Sequence, residues 1–139
     1  MTKDFQILEH TADIGIQAQA ETLSGLFVSI ACGLSDVLSE SDPPTPDKTV
    51  AVEVEGGDYE ELLVNWLNEI LYLLESRKLF PVGFLIDSLD SEHLKGRVHG
   101  FTLDSDKARL DREVKSATYH QLKVENEGGT WSARIYLDL

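Results

Sequence analysis

The stretch Glu9-His10-Thr11-Ala12-Asp13-Ile14-Gly15-Ile16 decides how the rest of the chain is read. Polar and ionisable side chains crowd into 9–13. An apolar alternation then begins, with Ile14, Ile16, Ala18 and Ala20 separated by Gly15, Gln17 and Gln19. Residues two apart on a strand share a face, so the alternation predicts a half-buried strand over 14–20, with Asp13 where a loop runs into a sheet. Just upstream, Phe5-Gln6-Ile7-Leu8 is a short apolar run that leads into the turn at 10–13 as a strand. The far end mirrors this pattern. Trp131, Ala133, Ile135, Leu137 and Leu139 alternate with Ser132, Arg134, Tyr136 and Asp138, so the sequence stops inside or just past a strand.

Working inward, Thr22 is an N-cap for a helix whose apolar stripe runs Leu23, Leu26, Phe27, Ile30, Ala31, Leu34, Val37 and Leu38. Gly25 and Gly33 weaken its intrinsic preference, but the stripe is regular. Cys32 lies beside the stripe and reads as a small packing residue rather than a nucleophile. Residues 39–47 hold three prolines with Ser and Asp and form an exposed connection. Val50, Val52 and Val54 mark the next strand. After Gly56-Gly57, Asp58 and Glu61 form a capping-box-like pair that starts a second helix. Its Leu62, Leu63, Trp66, Leu67, Ile70, Leu71 and Leu74 face the core, with acids near its start and Arg77 and Lys78 near its end, as the helix dipole favours.

Pro81 and Gly83 mark a break, and 84–89 is a strand. Another spans 93–103, with Leu94 and Val98 on one face and His93, Lys95, Arg97, His99 and Phe101 on the other. That cationic row is either a docking or phosphate-binding patch or a solvated sheet face, the second being commoner. Residues 104–112 are highly charged and read as a mobile loop, 114–124 as extended structure, and Gly128-Gly129 as the turn of a closing hairpin. The order strand, helix, strand, helix, then mainly strands predicts an α+β fold, two helices packed on a mixed, largely antiparallel sheet.

Composition sets outer bounds. With 139 residues, 42% of them hydrophobic and 27% charged, the chain reads as one globular domain over 1–139, able to bury a core without staples. One cysteine excludes an internal disulfide and a cysteine-based zinc site. No basic segment precedes a long apolar run, and polar residues interrupt every apolar stretch, so neither a signal peptide nor a membrane span is expected and the cytoplasm is the default location. A formal charge of −13 disfavours stable binding to nucleic acid backbones, which need Lys and Arg to displace counterions. Basic protein surfaces and divalent cations are the expected company, although acidity also serves solubility alone.

The chemistry-bearing residues are scattered. No glycine-rich phosphate loop, nucleophile elbow or zinc-spaced cluster is present. What remains is His10, Asp13, Lys115, Thr118, His120 and the tail Asp138-Leu139. A terminal α-carboxyl ionises with a pKa of about 3.3–3.7, so it is charged at neutral pH. Asp138 sets a second carboxylate beside it, an all-oxygen arrangement suited to Ca²⁺ or Mg²⁺, with Mn²⁺ a further candidate. A solvated penultimate aspartate is the simpler reading of the tail by itself.

His10-Thr11-Ala12-Asp13-Ile14-Gly15, Lys115-Ser116-Ala117-Thr118-Tyr119-His120 and Trp131 to the terminal Asp138-Leu139 together resemble the archease family. The likeness spans essentially the whole chain, including Asn65-Trp66-Leu67 in the second helix. Ser116 stands where alanine is expected, and Gly25 where an acidic residue is usual. The resemblance implies an α+β fold with a strand-helix-strand-strand module. It also implies a non-catalytic activator of the RtcB-type RNA ligase, which joins RNA 2′,3′-cyclic phosphate or 3′-phosphate ends to 5′-hydroxyls through its own guanylylated histidine. The activator promotes that guanylylation and repeated turnover, as in tRNA splicing and RNA repair. The family's metal site maps to Asp13, Asp138 and the terminal carboxylate of Leu139. From the residues themselves, Lys115, His10 and His120 are candidate phosphate or partner contacts; the two histidines are candidates to orient the carboxylates and equally read as satisfied structural histidines. Two other classes stay open: a metal-dependent hydrolase or transferase using His10, Asp13 and His120, and a chaperone-like or RNA-binding module.

Overall fold

Elements follow one another as β1 (Phe5–Glu9), β2 (Asp13–Ala20), α1 (Leu23–Leu38), β3 (Lys48–Glu55), α2 (Tyr59–Arg77), β4 (Leu79–Leu89), β5 (His93–Thr102), β6 (Ser116–Glu127) and β7 (Thr130–Asp138). They come from a computed structural model that describes residues 4–9, 13–103 and 110–139. The α+β class is as the sequence predicts. The strands divide into two sheets, of order β1-β2-β7-β6 and β3-β5-β4, and every pairing among them is antiparallel.

Both helices touch both sheets. α1 packs on β1, β2 and β7 from one sheet and on β4 from the other; α2 packs on β6 and on all three strands of the smaller sheet. One hydrophobic cluster results, in which Phe27, Ile30, Leu62, Trp66, Leu67, Ile16, Ile135, Leu94 and Val98 are buried. Trp66 is completely buried, donates its indole N–H to the Phe27 carbonyl at 3.1 Å, and meets the edge of Phe84 at 6.0 Å. The Trp and Leu face of α2 is therefore core.

The local signals act as their chemistry dictates. Thr22 Oγ1 accepts from the Gly25 N–H at 3.0 Å and starts α1. Asp58 accepts from the Glu61 N–H at 2.8 Å, while Glu61 reaches back to the Gly57 N–H at 2.9 Å, one residue before the cap. Gly128 and Gly129 both have positive φ, 61° and 91°, which the two-residue turn between Glu127 and Thr130 requires. Cys32 is half-buried; burial, and then Asp4, push its thiol pKa up, which suits a packing role.

Beside the division into two antiparallel sheets where the sequence predicts one mixed sheet, four details need correction. β4 does not begin at 84 but runs from Leu79 through Pro81 and Gly83. It is an edge strand, where a missing N–H is tolerated, and its register slips between those two residues. Phe101 is not on the solvated side of β5: it is buried and stacked on Phe80 at 5.4 Å. β6 begins at Ser116 and continues to Glu127, interrupted by a large bulge. Thr118 pairs with Tyr136 and Lys123 with Arg134, so 119–122 lie opposite Ile135 alone, with Gln121 at φ 50°. Of the charged loop, 104–109 lie outside the described residues, but Asp111 is docked rather than free. Its N–H donates to the Leu38 carbonyl at 2.8 Å, and its carboxylate accepts from the Glu40 N–H at 2.7 Å.

Candidate metal centre

Strand register makes the site. Asp13 lies directly opposite Asp138, and Asp138 directly opposite Ser116, giving one row across β2, β7 and β6. The next row, Ile14, Leu137 and Ala117, is buried against the helices. Because side chains alternate, the carboxylate row points to the other face of the sheet. Asp13 is half-buried there and Asp138 exposed. Directly opposed residues place their Cβ atoms roughly 4.5–5.5 Å apart, so both carboxylates can reach one ion, and like charges so placed repel. Neither carboxylate makes an ion pair or side-chain hydrogen bond with another described residue.

The second row out is built around Tyr136, which lies opposite Gly15 on one side and Thr118 on the other. A Cβ at Gly15 would come within 2.8 Å of Tyr136 Cε1, so only glycine lets the ring lie across β2. Thr118 donates its hydroxyl to the Tyr136 carbonyl at 3.0 Å. The β6 bulge brings His120 edge-on to the Tyr136 ring at 5.8 Å. His120 is thus a neighbour of the carboxylate row and packs on its second tier. Lys115 sits where β6 is about to begin, its N–H donating to the Asp138 carbonyl at 2.8 Å and its exposed side chain in no ion pair with a described residue. Leu139 follows Asp138, and its side chain returns to the core. His10 lies outside the described residues.

The donor chemistry fits a hard divalent cation: two opposed carboxylates, with no nitrogen or sulfur ligand in the row. Among the described residues no three His, Cys, Asp or Glu side chains gather as ligands. Among the described residues, side chains therefore offer two candidate ligands, Asp13 and Asp138. Sequence reasoning missed Ser116 as the third member of the row and Arg112, which bridges to Glu9 at 2.9 Å. Ser116 was legible in principle from strand parity. Arg112 was not, since its partner is 103 residues away.

These features define a class: a two-sheet, all-antiparallel α+β protein with paired carboxylates at the end of its larger sheet. The chain belongs to the archease family, whose model, the Archease protein family, matches residues 5–139. It is 37% identical over 135 residues to the archease of Methanopyrus kandleri, covering 95% of this chain and 96% of that one. It is 35% identical over 141 residues to the archease of Pyrococcus furiosus, covering 99% of each. Its fold matches a solution structure from Methanobacterium thermoautotrophicum with a TM-score of 0.82 at 30% identity, covering 99% of this chain and 100% of that one. A crystal structure of a Thermotoga maritima archease, described as a possible chaperone, shares the fold with a TM-score of 0.61 at 19% identity, over 95% and 94% of the two chains. Among the described residues no helix is long and apolar enough to cross a membrane.

Proposed function

We propose that this protein is a non-catalytic, divalent-metal-binding activator of the RtcB-type RNA ligase, promoting the ligase's guanylylation and its repeated turnover in tRNA splicing and RNA repair. Family membership supports the class of activity. The single observation that carries the site is the direct opposition of Asp13 and Asp138. The proposed ligands are these two carboxylates and the α-carboxylate of Leu139, the cation being Ca²⁺ or Mg²⁺, with Mn²⁺ a further candidate. When bound, the ion supplies positive charge where polyanionic nucleotide and carboxylates would otherwise repel. Asp13 and Asp138 hold and orient it from adjacent strands. On this reading Lys115, exposed at the edge of the row, meets a phosphate or an acidic group of the ligase, and His120, beside Tyr136, meets the partner.

The test is transfer of labelled guanylate from GTP to the ligase, with and without this protein. Wild type should stimulate transfer, and Asp13→Ala should fold but fail to stimulate. Normal stimulation by a well-folded Asp13→Ala protein would remove the residue from the mechanism. Purified protein that turns over nucleotide or RNA ends unaided would replace activation with catalysis.

A further inference from the structure

Residues 110–115 form a strap across the end of the four-stranded sheet. At one end, Lys115 is tied to Asp138 and leads directly into β6, an edge strand. At the other, Arg112 donates to Glu9 Oε1 at 2.9 Å and lies 3.9 Å from Glu40. Glu9 ends β1, the opposite edge strand, where it pairs with Ile14, the residue after Asp13. The strap thus reaches from one edge of the sheet to the other, past the ends of β2 and β7, where the two carboxylates sit. Three strand spacings come to roughly 14 Å, a distance that four extended residues and an arginine side chain readily cover. Next to Arg112, Asp111 anchors that end of the strap to the end of α1 through its two hydrogen bonds.

We propose that Arg112 is a positioning residue for the cation site: by holding Glu9 and Glu40 it fixes the start of β2 against the end of β7, and so sets the gap between Asp13 and Asp138. This rests on the reading of that pair as a cation site. The bridge itself is partly exposed, with Arg112 at 31% and Glu9 at 64% side-chain accessibility, and bridges of that kind add little to global stability. Its effect belongs to the local geometry of the row. Charge alone gives the opposite expectation, because a guanidinium near an anionic site opposes cation binding, and removing it would tighten the site.

The sign of the change therefore decides. Ca²⁺ is titrated calorimetrically into wild type, Arg112→Gln, Arg112→Glu and the exchanged pair Glu9→Arg with Arg112→Glu, with melts run alongside. Asp13→Asn serves as the site control. Arg112→Gln should weaken Ca²⁺ binding about tenfold, the lower end of what loss of outer-shell support costs a metal site. The exchanged pair, whose net charge equals that of wild type, should recover most of the loss seen in Arg112→Glu. Unchanged or tighter binding by Arg112→Gln, or an exchanged pair no better than Arg112→Glu, overturns the role of Arg112 and leaves the site standing. A wild type that binds no Ca²⁺, or binds it no better than Asp13→Asn, overturns the site and this role with it.

Discussion

The outer faces of the two sheets treat charge in opposite ways. On the three-stranded sheet the cations of β5 are matched: Arg97 bonds Asp87 at 2.7 Å, His93 lies 3.6 Å from Glu55, and Lys95 sits opposite Glu53. His99 is hydrogen-bonded to the Thr49 hydroxyl at 2.8 Å. Most of the row's ionisable side chains thus have an acid or a hydrogen-bond partner on the same face, as a solvated sheet face does. At the end of the four-stranded sheet, Asp13 faces Asp138 and neither has a charged partner among the described residues. Cross-strand pairs of opposite charge stabilise a sheet and like pairs destabilise it, so the first arrangement is complete and the second is not. The contrast shows where to look for function: in the pair left unmatched, rather than in the longer row of ionisable residues.

The largest effect should come from the core that joins the two faces. Trp66→Ala should cost about 3–5 kcal/mol, the usual range for emptying a large aromatic site, read by denaturant melts. Stability that holds while ligase activation falls would instead make Trp66 a docking residue. Next is cation-linked stability. At a Ca²⁺ concentration of roughly 100 Kd, wild type should gain about 2.7 kcal/mol. Asp13→Asn should lose that gain and Arg97→Ala should keep it. A C-terminal tag should erode the gain by turning the Leu139 carboxylate into an amide, whereas an N-terminal tag should not. Without metal, the two faces should respond with opposite signs. Asp138→Asn relieves a like-charge pair and should stabilise by about 0.2–1 kcal/mol; Arg97→Ala breaks a matched, solvent-exposed one and should lower the melting temperature only slightly. The smallest effect is at the β4–β5 turn, where hydrogen bonds from the Glu92 and His93 N–H groups hold the Asp90 carboxyl below its ordinary pKa. A lowered folded value means its stabilisation is present above the unfolded value of about 3.9 and lost as pH falls through the folded one. Asp90→Ala should therefore lower the melting temperature slightly at pH 7, and the gap should close in acid.

What could be read in the sequence was what neighbouring residues decide. Thr22 and Asp58 cap helices through hydrogen bonds spanning three residues, and Gly128-Gly129 turns a hairpin within four. The alternation around Ile14 and Ile135 correctly gave the buried faces of β2 and β7. Alternation says which way a side chain points but not which strand lies beside it. For that reason one sheet was anticipated where two exist, and Pro81 was read as a break although an edge position at a register shift accommodates it. The pairing of Asp13 with Asp138 rested on family resemblance, since no local pattern sets a register across the whole chain. The bulge at 119–122 and the Arg112–Glu9 bridge left no local signal, because each exists only once distant strands are in place.

Calorimetric titration of Ca²⁺ into metal-free wild type and Asp13→Asn tests the central claim most directly, that the opposed carboxylates are a cation site. The substitution keeps the size of the side chain and removes one charge from the row, while Arg97 and its partners on the other sheet are untouched. Wild type should show one saturable site, and Asp13→Asn should show little or no heat at the same concentrations, with both proteins melting cooperatively. Equal affinity in the two would mean that Asp13 and Asp138 face each other without sharing an ion, and the account of the site would fail.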